Sequence, residues 1–250
     1  MISKKEHKKL RADELLSRQQ DIPVEESRKL ILAGLVRVSQ DRMVKNSSEM
    51  LEEQGTILIL DESLKYVSRG AFKLKPSLDK YLPCLDGLVA ADIGASTGGF
   101  TDLMLQYGAK KVYAIDVGYG QLHYKLRQDP RVINIERANA RNISTNLIAE
   151  KIDIITMDLS FISVKKVLPN VNLLLKDKGW AFILVKPQFE ARSSEVEKGG
   201  VVRDREVMQR CVSSISDFVV TELKWQVLES MPSALLGPKG NQEFILVCRK

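Results

Sequence analysis

From about position 84 onward the chain falls into short apolar runs separated by amphipathic stretches of helical period. The runs are 89–93, 112–115, 132–135, 152–157, 180–185, 225–228 and 244–248. Runs of this length, alternating with helices, predict strands covered on both faces. The fold class is therefore α/β, a seven-stranded and mostly parallel Rossmann-like sheet, with ligands expected beyond the carboxyl ends of its strands.

The first sixty residues read differently. Leu15 and Leu16 lie on a short amphipathic helix over 10–19, and Pro23 closes the connection to a second helix over 24–33. That helix opens on Glu25 and Glu26, where the helix dipole favours acids, and ends at Gly34, which suits a left-handed cap. Strands at 35–38 and 56–60, with a turn at Gln40-Asp41-Arg42, complete a small α+β unit. Three segments follow: 1–62, a basic joint at 63–83 carrying the first catalytic motif, and 84–250.

With 250 residues, 44% of them apolar, the chain can fill one large core and carry a small attachment. Its longest apolar stretches are only strand-length, so no membrane span is expected. The stretch 1–11 is basic and polar, which predicts neither signal peptide nor anchor, and hence a cytoplasmic location. Cys84, Cys211 and Cys248 show no paired spacing, so reduced thiols are expected and no metal site. The net charge is +6, yet residues 1–65 hold 12 basic and 12 acidic side chains. Within that neutral part the charges are segregated. Arg28, Lys29, Arg37, Arg42 and Lys45 face only Asp41, while Glu49, Glu52, Glu53, Asp61 and Glu62 gather afterwards. A basic stretch of this kind meets phosphates.

The clearest chemical signal is Asp92-Ile93-Gly94-Ala95-Ser96-Thr97-Gly98-Gly99-Phe100, a strand ending in an acid and a glycine-rich turn before a helix. Glycines there let the backbone turn tightly and approach a ligand. The spacing is not that of pyrophosphate binders, and no Gly-Lys-Ser/Thr follows, so a ligand without phosphate fits best. Asp92 is placed to hold a methionine ammonium, directly or through water. Asp116, at the end of the next strand and followed by Val117, is placed to accept ribose hydroxyls. Tyr119 and Gln121 are candidates for the adenine side.

These segments, with Ala114-Ile115-Asp116-Val117-Gly118-Tyr119-Gly120-Gln121-Leu122 and Lys125-Leu126-Arg127-Gln128-Asp129-Pro130-Arg131-Val132, resemble the TlyA family. Those are ribosomal RNA 2′-O-methyltransferases of the FtsJ-like superfamily, many of them labelled haemolysins. The resemblance implies S-adenosylmethionine as cofactor, ribosomal RNA or ribosomal subunits as partner, and a cytidine ribose as acceptor. It also implies a Lys-Asp-Lys-Glu tetrad. Ser68-Arg69-Gly70-Ala71-Phe72-Lys73 offers Lys73, Met157-Asp158-Leu159 offers Asp158, Val185-Lys186-Pro187-Gln188-Phe189-Glu190 offers Lys186, and Gly237-Pro238-Lys239-Gly240-Asn241-Gln242-Glu243 offers Glu243. Lys186 serves either as base or as a cation orienting the hydroxyl, with the acids holding the amines. The first unit resembles the S-four-type RNA-binding domain, notably in Arg11-Ala12-Asp13-Glu14-Leu15-Leu16 and Ser27-Arg28-Lys29-Leu30-Ile31-Leu32. Arg11, Arg28, Lys29, Arg37, Arg42, Lys45 and Arg69 are its expected RNA contacts.

Other residues carry weaker expectations. His123 reads as a helix-surface residue and His7 as solvated, while Trp180 and Trp225 read as core. Phe161 and Phe189 follow catalytic candidates and either stack on a flipped nucleotide or pack in the core. The charged segment 193–200 reads as a mobile loop closing over substrate. Two competing functions remain: a membrane-active haemolysin, disfavoured by the lack of an apolar span, and an RNA-binding factor without catalysis, disfavoured by the complete tetrad.

Overall fold

The computed structural model describes residues 8–32, 35–38, 42–53, 55, 57–59 and 66–250. His7, Gly34, Gln40, Asp41 and Lys65 lie outside the described residues. The chain divides into two compact units, Met1–Lys65 and Tyr66–Lys250.

In the first unit, β1 (Lys9–Arg11), α1 (Ala12–Gln20), α2 (Val24–Leu32), β2 (Val36–Val38), β3 (Arg42–Met43), β4 (Met50–Glu52) and β5 (Ile57–Ile59) follow in order. Two small antiparallel sheets result, β1 with β4 and β3-β2-β5. Leu15, Leu16, Leu30 and Ile31 from the two helices bury against Val36, Val44, Leu51 and Ile57. Arg42, expected in a turn, lies in β3. Under this core the fully buried Asp13 accepts two hydrogen bonds from Arg11, at 3.0 Å each, and one from Arg28 at 2.8 Å. The acid thus ties β1 to α2 across the helix pair.

The second unit begins with α3 (Ala71–Tyr81), inside the stretch read as a joint. It continues through β6 (Val89–Ile93), α4 (Gly99–Gln106), β7 (Lys111–Ile115), α5 (Tyr124–Gln128), β8 (Val132–Ile135), β9 (Ile152–Met157), α6 (Leu168–Leu174) and β10 (Leu175–Val185). Then come α7 (Pro187–Glu190), α8 (Arg205–Thr221), β11 (Gln226–Pro232) and β12 (Phe244–Arg249). The strands form one sheet in the order β11-β12-β10-β9-β6-β7-β8. Only β12 is antiparallel to its neighbours, pairing with β10 and β11.

Side chains alternate across this sheet. Val89, Ala91 and Ile93 of β6 and Ala181, Ile183 and Val185 of β10 face a core shared with α6 and α8. Ala90, Phe182 and Leu184 face the opposite core, with Leu74 and Leu78 of α3 and Leu103 and Met104 of α4. Both faces are covered, which is why the strands read as unbroken apolar runs. Trp225 is buried just before β11 and donates to Asn172 Oδ1 at 3.0 Å. Trp180 stacks on Phe182 with ring centroids 6.1 Å apart, and Arg249 covers it. Both tryptophans are packing residues.

The order reverses at β6, where the parallel strands β7 and β8 are added on one side and β9 and β10 on the other. That switch point leaves a crevice at the carboxyl edge, where ligands bind in open α/β sheets.

Arg11 and, behind it, Arg28 hold the Asp13 carboxyl down at about 2, against an ordinary 3.8. A depressed carboxyl stabilises the fold above its unfolded value and loses that contribution as pH falls from about 4 to 2. Asp13→Asn is expected to cost the chain about 1–2 kcal/mol at pH 7, measured by denaturant unfolding. The difference from wild type should shrink at pH 3.

Candidate active site

The carboxyl ends of four strands, the start of a fifth and one helix build the site. Past Ile93 the backbone turns sharply at Gly94, whose φ is +86° and where a Cβ would lie 2.3 Å from the Asp158 carbonyl oxygen. Only glycine meets both demands. Asp92 points inward. Its Oδ2 accepts from the Thr101 amide at 2.9 Å and hydroxyl at 2.7 Å, and its Oδ1 accepts from Thr156 Oγ1 at 3.0 Å. With 1% of its surface exposed, it braces the turn against α4 and β9.

Asp116 stands at the end of β7 with Oδ2 accepting from Ser96 N at 2.8 Å and Oδ1 from Gly118 N at 2.7 Å. The two turns are thereby laced together, and Asp116 faces a cavity of about 570 Å³. Gly94, Ser96, Val117 and Gln121 line that cavity, as expected from sequence. Ala138, Asn139, Ala140, Arg141 and Leu159 also line it and were not foreseen. Ala138 N donates to the Asp116 carbonyl at 3.0 Å, which brings the segment after β8 against the crevice. No motif marks that segment; only its place after a strand end does. Tyr119 instead lies exposed beside Arg137, whose guanidinium sits 4.4 Å from the ring centre.

A second cavity of about 120 Å³ lies beside the turn, lined by Asp92, Ala95, Thr97, Gly99 and Phe100 with Ser68. Gly98 sits behind, beneath Leu122 and Leu126. Phe100 is also part of the core, 4% exposed. His123 caps α5, its Nδ1 accepting from Lys125 N at 3.3 Å.

The four tetrad candidates converge. Glu243 Oε2 accepts from Lys73 Nζ at 2.6 Å, Lys73 Nζ lies 4.0 Å from Asp158 Oδ2, and Lys186 Nζ lies 2.6 Å from Asp158 Oδ1. Lys186 also donates to Ser160 Oγ at 3.1 Å. The result is an alternating chain, Glu243–Lys73–Asp158–Lys186, that meets the cavity at Asp158 and, through Ser160, beside the Lys186 amine. Glu243 fits because Gly237 has no side chain: a Cβ there would lie 2.1 Å from Oε1.

Phe161 and Phe189 flank this chain with ring centroids 5.1 Å apart. Phe161 is 89% exposed, so it does not pack in the core. The segment 193–200 is fastened, not free: Asn241 Nδ2 donates to Gly200 O at 2.9 Å, Lys239 Nζ to Gly199 O at 2.6 Å, and Val202 N to Asn241 Oδ1 at 3.0 Å. Two anchors from the loop before β12 thus replace the expected mobility.

Among the basic candidates, Arg11 and Arg28 meet at Asp13 and remain half exposed, at 40% and 46%. Lys29 pairs with Glu26 and Arg42 with Glu49. Arg37 Nε donates to Met43 Sδ at 3.3 Å, while Lys45 and Arg69 are exposed.

Burial pushes the Asp92 carboxyl up to about 7. The folded state then keeps a proton that the unfolded chain gives up near 3.8, so stability declines as pH rises from about 4 to 7. Asp92→Asn, which retains the acceptor for Thr101, should flatten that decline in thermal unfolding followed across the range.

Residues 66–250 match the FtsJ-like methyltransferase family. The 16S/23S rRNA (cytidine-2′-O)-methyltransferase TlyA of Mycobacterium tuberculosis H37Rv is 39% identical over 225 residues, 90% of this chain and 84% of that protein. A solved structure named as a hemolysin of Streptococcus thermophilus is 35% identical, with a TM-score of 0.74 over 98% of this chain and 89% of the other. An S-adenosylmethionine-dependent methyltransferase of Listeria monocytogenes, 17% identical with a TM-score of 0.55 over 73% of this chain and 99% of the other, shares the fold. Among the described residues no helix is long and apolar enough to cross a membrane. The chain belongs to the FtsJ-like methyltransferase family, and within it groups with TlyA.

Proposed function

We propose that this protein methylates a ribose 2′-hydroxyl of ribosomal RNA, a cytidine in the first instance, in the cytoplasm and with S-adenosylmethionine as donor. The observation that carries the reading is the charge chain Glu243–Lys73–Asp158–Lys186, whose member Asp158 lines a cavity sized for a nucleoside. The cavity suits the donor's chemistry. Asp116 supplies carboxylate oxygens for ribose hydroxyls, the Gly94 turn admits close backbone approach, and the turn from Asp92 to Phe100 carries no lysine or arginine to favour a phosphate.

S-adenosylmethionine supplies a methyl group on a positively charged sulfur, open to in-line displacement. The protein's part is alignment and charge control. Lys186 forms an ion pair with Asp158 and donates one hydrogen bond to Ser160, which leaves it able to donate to the acceptor oxygen. Lys186 then orients the hydroxyl and stabilises the negative charge that grows on its oxygen. With the donor bound, the acceptor oxygen held by Lys186 would take the methyl group, and the hydroxyl proton would pass to solvent water at the open side of the cavity. Lys73, held by Glu243, keeps Asp158 turned toward Lys186. Phe161, exposed beside this chain, offers a face on which an unstacked base can rest. Arg11, Arg28, Lys29, Arg37, Arg42 and Lys45 of the first unit, with Arg69, contact RNA phosphates. The similarity to TlyA supports the choice of ribosomal RNA over other acceptors.

Mapping 2′-O-methyl positions in ribosomal RNA from cells with and without the protein tests the reading, and an unchanged map would sink it. Lys186→Ala should lower turnover by at least about 10²-fold while donor affinity, read by calorimetry, stays within a few-fold; collapse of donor binding with turnover retained would contradict the role given to Lys186. Gly237→Ala, which drives a methyl group into Glu243, should likewise lower turnover with little change in donor affinity.

A further inference from the structure

Two loops carry most of the groups that meet the acceptor. One, at 158–163 after β9, holds Asp158, Ser160 and Phe161. The other, at 186–190 after β10, holds Lys186 and Phe189. The pairing of β9 with β10 ends at Met157 and Ile183, so beyond it no ladder of backbone hydrogen bonds fixes one loop against the other. The contacts that span them are Lys186 to Asp158 and Ser160, the Phe161–Phe189 ring pair, and one carboxylate. Glu190 Oε2 accepts from Ser163 Oγ at 2.6 Å and Oε1 from Val164 N at 2.9 Å. This carboxylate closes the first loop where it runs into the short turn Val164–Lys166, whose start Ser163 itself caps by accepting from Lys165 N at 3.3 Å.

The first loop needs such a fixed point. Phe161 has φ of +63°, a left-handed conformation that a bulky side chain adopts only at a cost, and its ring is 89% exposed, so burial does not hold it. Strain of this kind persists when the flanking residues are fixed. On one side Asp158 is fixed by its amide, which donates to Ile93 O at 3.0 Å. On the other side the fixed point is Ser163–Val164, and Glu190 is what fixes it.

We propose, resting on the ribose-methylation reading, that Glu190 is a positioning residue which clamps the 158–163 loop onto the 186–190 turn and so holds Phe161 and Ser160 where the acceptor nucleotide is received. It touches neither donor nor acceptor. A glutamine can replace it, since its amide oxygen accepts from Val164 N and its amide nitrogen donates to Ser163 Oγ. An alanine cannot.

The test compares Glu190→Ala, Glu190→Gln and Ser163→Ala with wild type, well below each variant's unfolding temperature. Methyl transfer to ribosomal subunits and donor affinity are measured together with hydrogen exchange of the amides at 159–164. Glu190→Ala should lower kcat/KM for RNA by about 10–10²-fold, change donor affinity far less, and speed exchange across 159–164. Glu190→Gln should restore most of both readouts, and Ser163→Ala should show a milder form of the alanine defect. Unchanged exchange in Glu190→Ala overturns the clamp, as does a glutamine variant that is folded yet as defective as alanine. Should wild type methylate no ribosomal RNA, the acceptor assignment fails, and the exchange data still decide whether Glu190 holds the loop.

Discussion

The site depends on an alternation of charge, Glu243–Lys73–Asp158–Lys186, built where water is largely excluded. Exposure falls along the chain from 23% for the Asp158 side chain to 13% for Lys73 and 0% for Glu243, with Lys186 at 8%. Charges this buried are costly unless each faces its opposite, and removing one member of a buried pair costs about 3–5 kcal/mol because the remaining charge stands uncompensated. The arrangement is therefore nearly all or none. It also demands that four distant segments arrive at one place, which is a demand on topology more than on any side chain.

The sheet order meets that demand. Asp158 and Lys186 follow the carboxyl ends of parallel neighbours β9 and β10. Glu243 comes before a strand, and its placement beside Lys186 requires that strand to run the other way. β12 does so, pairing Phe244 with Val185, and sets Glu243 at the same edge as the other two. The one antiparallel strand of an otherwise parallel interior is thus tied to the chemistry. Part of the backbone strain among the described residues lies at the same edge, where Ser96, Phe161 and Lys239 have φ between +49° and +63°. Ser96 follows the strand that carries Asp92, Phe161 follows Asp158 and Lys239 precedes Glu243, as expected where function overrides local preference.

Legibility in the sequence follows this division. Strands buried on both faces announce themselves as apolar runs, so β6, β7, β9, β10 and β12 were readable, as were the acids and lysines beside their ends. The strands Lys9–Arg11 and Met50–Glu52 were not, because three residues of mixed character carry no period. The direction of Asp92 was hidden too: the motif fixes its place at a strand end, but Thr101 and Thr156, which draw it inward, sit nine and sixty-four residues away. The lining at 138–141 has no special composition, and Glu190 resembles any surface acid until Ser163 and Val164 are seen against it. The 193–200 segment looked mobile because its anchors, Lys239 and Asn241, are some forty residues further on.

In the first unit, two of the arginines proposed to contact RNA are tied to one buried acid. Arg11 and Arg28 were read as phosphate contacts, and the structure spends part of each on Asp13. These uses are compatible because a guanidinium has five donors and the pairing with Asp13 engages two from Arg11 and one from Arg28. The remaining donors lie on half-exposed side chains whose orientation the buried acid has already fixed. A phosphate meeting them orders little that is not ordered already, so less conformational entropy opposes the contact than at a free lysine such as Lys45. The acid that lowers the net charge of the unit therefore improves the geometry of its basic face, and a neutral charge count over residues 1–65 is consistent with a surface built to meet RNA.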